Sequence, residues 1–286
     1  MNRTRPTVAD LRAGKGIAQR TMVYVTTTDE AAACAEAGID ILSIEQAVWN
    51  VAMREAAADC FVQVGLPYGV LATTDDHLRA AHDAILAGAD AVYCAASLQV
   101  IERLAAEGIP VVGHVGLIPS RRTWTGGFRA VGKSLESALS IQHQVEALER
   151  AGAFAAEIEV VPFEIAAEIS RRTSLLMFSM GAGAGCDAMY LFAEDILGET
   201  RGHRPRHAKA YRDFSAEYER LQRERVGAFR EFRADVASGG YPQGAHDVPV
   251  DAEVLGAFVA HLDREPSGEQ HLDSNHSIAP ERSRSS

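Results

Sequence analysis

Two segments of this chain carry titratable side chains inside apolar runs. In VVGHVGLIPS, His114 ends an apolar strand and precedes a Gly-Leu turn, so its ring would either donate a hydrogen bond to a substrate oxygen or bond the rim of the strand end. In EIEVVPFE, Glu159 is a carboxylate within an apolar strand, costly unless it is paired, protonated or facing a polar cavity. Such a group suits proton abstraction beside a carbonyl. Glu157 lies two residues earlier and therefore on the same strand face, so a structural acid pair held by Arg or Lys is the other reading. A third segment, SMGAGAG, sets Gly181 and Gly183 between a strand and the next element, where their N–H groups could receive a phosphate or carboxylate of a substrate. A tight turn explains it equally well, and it lacks the Lys-Ser/Thr ending of a P-loop.

Such residues need a scaffold that brings strand ends together. Eight β-rich runs precede residue 193: Met22–Thr26, Asp40–Ile44, Cys60–Val64, Ala91–Cys94, Val111–His114, Ala156–Val160, Leu175–Met180 and Ala188–Phe192. Most are continuously apolar, as strands covered on both faces are. Between them the periodicity predicts helices over Asp29–Ala37, Thr74–Ala87, Leu98–Glu107, Ser134–Ala151 and Phe163–Arg172, several closing on Gly38, Gly88, Gly108 or Gly152. The repeated joints AEAGIDI, ILAGADA, AAEGIPV and ERAGAFA make these quasi-repeated βα units without a linker. The expected fold is α/β, a (β/α)8 TIM-type barrel with a C-terminal helical extension, residues 1–263 as one domain. Residues 264–286 are polar and Ser-rich and are expected to be a disordered tail.

Reactive groups of parallel barrels stand at the C-terminal strand ends. That rule selects Glu45 and Gln46, Gly65 to Tyr68, Tyr93 to Ser97, His114, Glu157 and Glu159, and the Gly-rich segment. Beyond the barrel, Arg206–Ser238 places Tyr211, Phe214, Tyr218, Leu221, Val226, Phe229 and Phe232 at helical spacing, a long amphipathic helix whose stripe suits a barrel cover or a contact between subunits. A shorter helix is expected over Asp251–Leu262.

With 286 residues, 47% hydrophobic and 23% charged, the chain has enough material for one large core. A net charge of −11, with no Lys/Arg cluster to offset it, disfavours nucleic acid. No apolar stretch reaches the length of a signal peptide core or a membrane span, so the expectation is a cytoplasmic protein without a membrane partner. Cys34, Cys60, Cys94 and Cys186 are widely spaced in apolar runs and read as buried reduced thiols.

Seven phrases, in order from roughly Thr7 to His246, resemble the ketopantoate hydroxymethyltransferase family of the phosphoenolpyruvate mutase and isocitrate lyase superfamily. TVADLRAGKG resembles its N-terminal helix, GIPVVGHVGLIPS its GHxGLxPQ segment, and TGGFRAVGK the following loop. EIEVVPFEIAAEIS is similar to LExVPxELA, SMGAGAGCD to GIGAGxxxDG, RGHRPRHAKAYRDF to GxxPKFxKxF, and SGGYPQGAH to SGxYPxxxH. The resemblance implies a small 2-oxo acid substrate, 3-methyl-2-oxobutanoate, deprotonated beside its carbonyl and joined to the one-carbon unit of 5,10-methylenetetrahydrofolate as co-substrate. It implies Glu159 as general base, His114 as the substrate-side histidine and a homo-oligomer.

The same resemblance exposes departures. The family's VGDS aspartate and serine fall on Gln46 and Ala47, its ADLPF aspartate on Gly65, and its KIEGG lysine and glutamate on Tyr93 and Ala95. A one-residue gap brings Glu45 to the first aspartate's place, a single carboxylate for a hard cation that takes several oxygens. The leading expectation is therefore a diverged member doing aldol-type carbon–carbon chemistry on a 2-oxo acid without Mg²⁺. An enolate would then be held by His114, backbone amides and Tyr93, Gln46 or the Arg121-Arg122 pair. The alternatives are an authentic Mg²⁺-dependent enzyme of pantothenate biosynthesis using Glu45, and a catalytically silent homologue that binds a small acid.

Overall fold

A computed structural model describes residues 4–202 and 204–264 of the chain. Eight parallel strands close into a barrel in sequence order: β1 (Arg20–Tyr24), β2 (Ile41–Glu45), β3 (Phe61–Gly65), β4 (Ala91–Tyr93), β5 (Val111–Gly116), β6 (Ala155–Glu159), β7 (Leu176–Met180) and β8 (Ala188–Phe192), the last pairing with β1. Around them lie α1 (Val8–Ala13), α2 (Thr28–Ala37), α3 (Val51–Ala56), α4 (Thr74–Leu86), α5 (Leu98–Ala106), α6 (Arg122–Thr125), α7 (Leu135–Arg150), α8 (Phe163–Arg172) and α9 (Ala193–Leu197). The predicted barrel is thus the observed one, with strand ends displaced by a residue or two. One joint departs from the βα repeat: β7 runs to β8 through residues 181–187 without a helix, because that stretch is almost entirely Gly and Ala.

Local sequence explains where helices begin and end. Thr27 and Thr73 open α2 and α4 through reciprocal capping boxes with Glu30 and Asp76, while Ser97 and Ser134 cap α5 and α7. Gly38 ends α2 in the left-handed region at φ 78°. The predicted helix from Arg206 is shorter than expected, starting as α10 at Phe214 (Phe214–Ser238). Asp213 caps it by accepting from Ala216 N, and Tyr211 N is already donated to the Ile196 carbonyl, so residues 206–213 lie outside the helix.

The strands' outward residues, among them Leu42, Val62, Val92 and Ile158, pack under the helices, with Ile141, Val145 and Leu148 of α7 in the same core. At such sites, full burial of one aliphatic side chain stabilises by about 1.5–3 kcal/mol. Inside the barrel, Met22, Ile41, Phe61, Phe154, Leu176 and Phe178 fill the N-terminal half, closed from below by Leu11 of α1. Lys15 fixes this closure by donating to the Leu175 carbonyl at 2.8 Å and to Asp187 at 2.7 Å. The barrel's floor is therefore solid, and free space lies at the C-terminal mouth.

By contacts the chain divides at Arg220, within α10. The second unit comprises the rest of α10 and α11 (Ala252–Leu262), and Tyr241 packs there against Phe232 and His246. The proposed tail, apart from Arg264, lies outside the described residues. Among those described, no helix is long and apolar enough to cross a membrane. Cys60, Cys94 and Cys186 are buried and Cys34 half-buried.

Candidate active site

Strand register stacks the polar residues of the barrel interior in two levels. Ser43 pairs with Gln63 and His114 with Glu157 at the deeper one. One step towards the mouth, Glu45, Gly65 and Tyr93 stand side by side, and Gly116 is paired with Glu159. Period-two alternation produces this: on β5, His114 points inward, whereas Gly113 lies against Leu148 of α7.

These levels meet at His114, whose side chain is 2% exposed. Its Nε2 lies 2.9 Å from the Leu117 carbonyl and 3.3 Å from Glu159 Oε2. A carbonyl oxygen only accepts, so Nε2 carries a hydrogen, which it presents to Glu159 as well. On the other ring edge, Nδ1 lies 2.7 Å from Tyr93 Oη and 3.6 Å from Glu157 Oε2. Gln63 reaches across the barrel from β3 and donates from Nε2 to Glu157 Oε1 at 2.6 Å and to Ser43 Oγ at 3.1 Å. The acid pair of the sequence reading is therefore served by His114 and Gln63, not by Arg or Lys. Gln63 Oε1 is buried with no hydrogen-bond partner among the described residues.

Burial sets the charge states. Glu157 is pushed up to about 7, chiefly by desolvation, with His114 and Gln63 opposing and Glu159 and Glu45 adding to the rise. Burial works against charge on His114, but the Glu159 hydrogen bond, the Glu157 and Glu159 carboxylates and the Leu117 carbonyl together hold its pKa above the ordinary value. The Tyr93 phenol is raised well above the usual tyrosine range, first by burial and then by Glu157 and Glu159, so it stays protonated. Burial also raises Glu45.

Backbone geometry holds Glu159 in place. Val160, immediately after it, sits at φ 48°, a left-handed conformation that is strained for a β-branched residue. Its N–H donates to the Met180 carbonyl at 2.8 Å, and its carbonyl accepts from Val131, so the turn is fixed on both sides. Leu117 N donates to the Glu159 carbonyl at 2.9 Å.

Above these groups opens a cavity of about 450 Å³, lined by Glu45, Tyr93, His114, Glu157 and Glu159 with Tyr24, Tyr190 and Phe192. Its size is that of a small-molecule site. A neighbouring cleft of about 550 Å³ runs between α5 and α7 and also touches His114.

The structure thus brings together Glu159, His114, Tyr93 and Glu45 of the predicted residues. It does not bring Gln46 to the cavity: Gln46 Nε2 donates to the Ala80 carbonyl of α4, on the outer side of β2. Gly181 and Gly183 also lie outside the lining. Their positive φ values of 69° and 84°, and the close approach of His207 to Gly181 and of Phe163 to Gly183, give them turn and packing reasons to be glycine. Arg122 lies over the Phe128 ring. Ser43, Gln63 and Tyr190 were missed by sequence reasoning; their signal was a polar residue in the middle of an apolar strand.

The mouth does not fit a hard divalent cation. Gly65 offers no ligand, and Glu45 Oε2 leans to 3.3 Å from where a Gly65 β-carbon would stand, filling that space itself. Tyr93 is a protonated phenol engaged with His114. Among the described residues, no three His, Cys, Asp or Glu side chains converge as metal ligands.

The profile of the ketopantoate hydroxymethyltransferase family matches residues 42–244. The 3-methyl-2-oxobutanoate hydroxymethyltransferase of Cenarchaeum symbiosum (strain A) is 35% identical over 212 residues, covering 73% of this chain and 78% of that protein. That of Deinococcus radiodurans is 33% identical over 262 residues, covering 82% and 90%, and that of Frankia casuarinae 31% identical over 275 residues, covering 85% and 88%. By sequence over most of its length, this chain is an enzyme of the transferase class and belongs to the ketopantoate hydroxymethyltransferase family.

Proposed function

We propose that this enzyme transfers a hydroxymethyl group to a small 2-oxo acid, with 3-methyl-2-oxobutanoate as acceptor, 5,10-methylenetetrahydrofolate as donor and Glu159 as the base. The observation that carries this reading is the Glu159 carboxylate at the cavity wall, 3.3 Å from the Nε2–H of His114. The ionised carboxylate is the form that accepts a proton from the carbon beside the substrate carbonyl. The resulting carbon nucleophile attacks the donor's methylene carbon. Overall the substrate loses one C–H, one water supplies the hydroxyl oxygen, and both folate nitrogens that held the methylene end as N–H.

We propose further that it does so without Mg²⁺, because Gly65, Tyr93 and Ala95 stand where the family resemblance sets an aspartate, a lysine and a glutamate. The lean of Glu45 over Gly65 favours one second reading, in which Glu45 and water hold a cation. Product formation from both substrates, measured by NMR in excess EDTA and again in Mg²⁺, decides between them. Turnover in EDTA that is lost in Glu159→Gln supports the first reading; turnover only in Mg²⁺ supports the second; turnover that survives Glu159→Gln removes Glu159 as base.

The second unit exposes large apolar side chains, with Phe229 at 72% and Phe232 at 56%. These suit the homo-oligomer implied by the family resemblance.

A further inference from the structure

We infer that Tyr93, His114 and Glu157 form a proton relay that protonates the carbonyl oxygen of the substrate as Glu159 removes the carbon-bound proton. The inference rests on the reading that a 2-oxo acid is enolised here. It assigns the electrophilic task left open by a mouth in which, among the described residues, no three His, Cys, Asp or Glu side chains converge on a cation.

The hydrogen-bond inventory of His114 forces the arrangement. Because Nε2–H is fixed by the Leu117 carbonyl, a second proton on the ring can go only to Nδ1, where the Tyr93 hydroxyl lies at 2.7 Å. With Nδ1 bare, the single phenolic hydrogen is spent on it. With Nδ1 protonated, the ring donates to Tyr93 Oη, and the phenolic hydrogen is released towards the cavity that Tyr93 lines beside Glu45 and Glu159. Protonating His114 therefore converts Tyr93 from a donor to histidine into a donor to the substrate. Glu157, 3.6 Å from Nδ1, supplies the counter-charge once it is ionised, above about pH 7, and Gln63 holds it there.

In the forward step the substrate C–H bond breaks and its proton goes to Glu159. The electron pair forms the new C=C bond, and the carbonyl π pair moves to oxygen. That oxygen takes the Tyr93 hydrogen, Tyr93 takes the Nδ1 hydrogen, and His114 is left neutral with Nε2–H. One negative charge on Glu159 and one positive charge on His114 vanish together, so no net charge develops in the buried site. When the enol attacks an electrophile the relay runs backwards and His114 is protonated again. Tyr93 is the catalytic donor; His114 and Glu157 position and recharge it.

Other titratable groups bear on His114 as well: Glu159 on β6 and, through Tyr93 and Glu157, Glu45 on β2, Cys94 just after β4 and Tyr190 on β8. Arg121 and His143 line the neighbouring cleft.

The test follows exchange of the C3 proton of 3-methyl-2-oxobutanoate into D₂O by the full-length enzyme in EDTA, from pH 5.5 to 9, alongside NMR titration of ¹⁵N-labelled histidine. The relay predicts a wild-type rate that falls as His114 loses its Nδ1 proton. Tyr93→Phe should slow exchange by about 100-fold, the scale of losing one oxyanion donor, while His114 still titrates. Glu157→Gln should move both the His114 titration and the falling limb of the rate to lower pH together. Exchange by Tyr93→Phe within about threefold of wild type, or a His114 titration that shifts in Glu157→Gln without the rate profile following, would overturn the relay while leaving Glu159 as base. Absence of exchange by the wild type at every pH would overturn the underlying reading and the relay with it.

Discussion

A β-carbon on Gly116 would run into the carbonyl oxygen of Glu159 and the side chain of Val161. These paired residues carry β5 and β6 past each other at the mouth, and the absence of a side chain at 116 lets Leu117 N bond the Glu159 carbonyl while the Leu117 carbonyl holds His114. Gly116 also has φ 86°, so alanine there is strained as well as crowded. Gly116→Ala should cost about 1–3 kcal/mol in stability and lower kcat more than it changes KM, since it shifts the base more than the rest of the cavity lining. Denaturant unfolding and steady-state kinetics check this.

Relieving strain at the neighbouring turn should separate stability from activity. Val160 holds φ 48° because Met180 and Val131 bond its backbone on both sides. Val160→Gly is expected to raise stability by up to about 1 kcal/mol through relief of strain, offset in part by unfolded-state entropy. Its kcat should fall as Glu159 gains freedom. A thermal melt and a rate measurement on the same sample show both effects.

Glu157 predicts a pH dependence of stability. Burial holds its proton up to about pH 7, whereas the unfolded chain releases it near 4.5. The folded protein therefore binds this proton more tightly, and the stability it contributes, complete below pH 4.5, is lost as pH rises through 7. His114, also raised, acts in the same direction above its ordinary value. Wild type should lose more melting temperature between pH 5 and 8 than Glu157→Gln, which has no carboxyl to ionise. Parallel melting curves for the two proteins would contradict this.

Homo-oligomerisation through the second unit predicts that Phe229→Glu lowers the particle mass in light scattering, because a charge at this exposed aromatic position opposes apolar association. An unchanged mass removes the helix face around Phe229 from any subunit contact.

How much of this was legible in the sequence depended on how local each cause is. The strands read clearly because burial on both faces writes a continuous apolar run, and Glu159 and His114 stood out as polar residues ending such runs. The end of β2 was ambiguous because a one-residue slip exchanges inside for outside; the register puts Glu45 in the mouth and turns Gln46 to α4. The bond from Gln63 to Glu157 joins residues 94 positions apart and exists only because closure sets β3 across from β6, so no spacing rule could expose it. The late start of α10 likewise depends on a backbone bond between Tyr211 and Ile196, a tertiary cause that helical periodicity does not record.

The most direct test of the account is loss of the C3 proton of 3-methyl-2-oxobutanoate into D₂O, followed by NMR in excess EDTA with wild type and Glu159→Gln side by side. The account predicts exchange by the wild type that falls at least about 100-fold in the variant, the scale of losing a general base. Exchange undiminished in Glu159→Gln, or seen only when Mg²⁺ is restored, would contradict it.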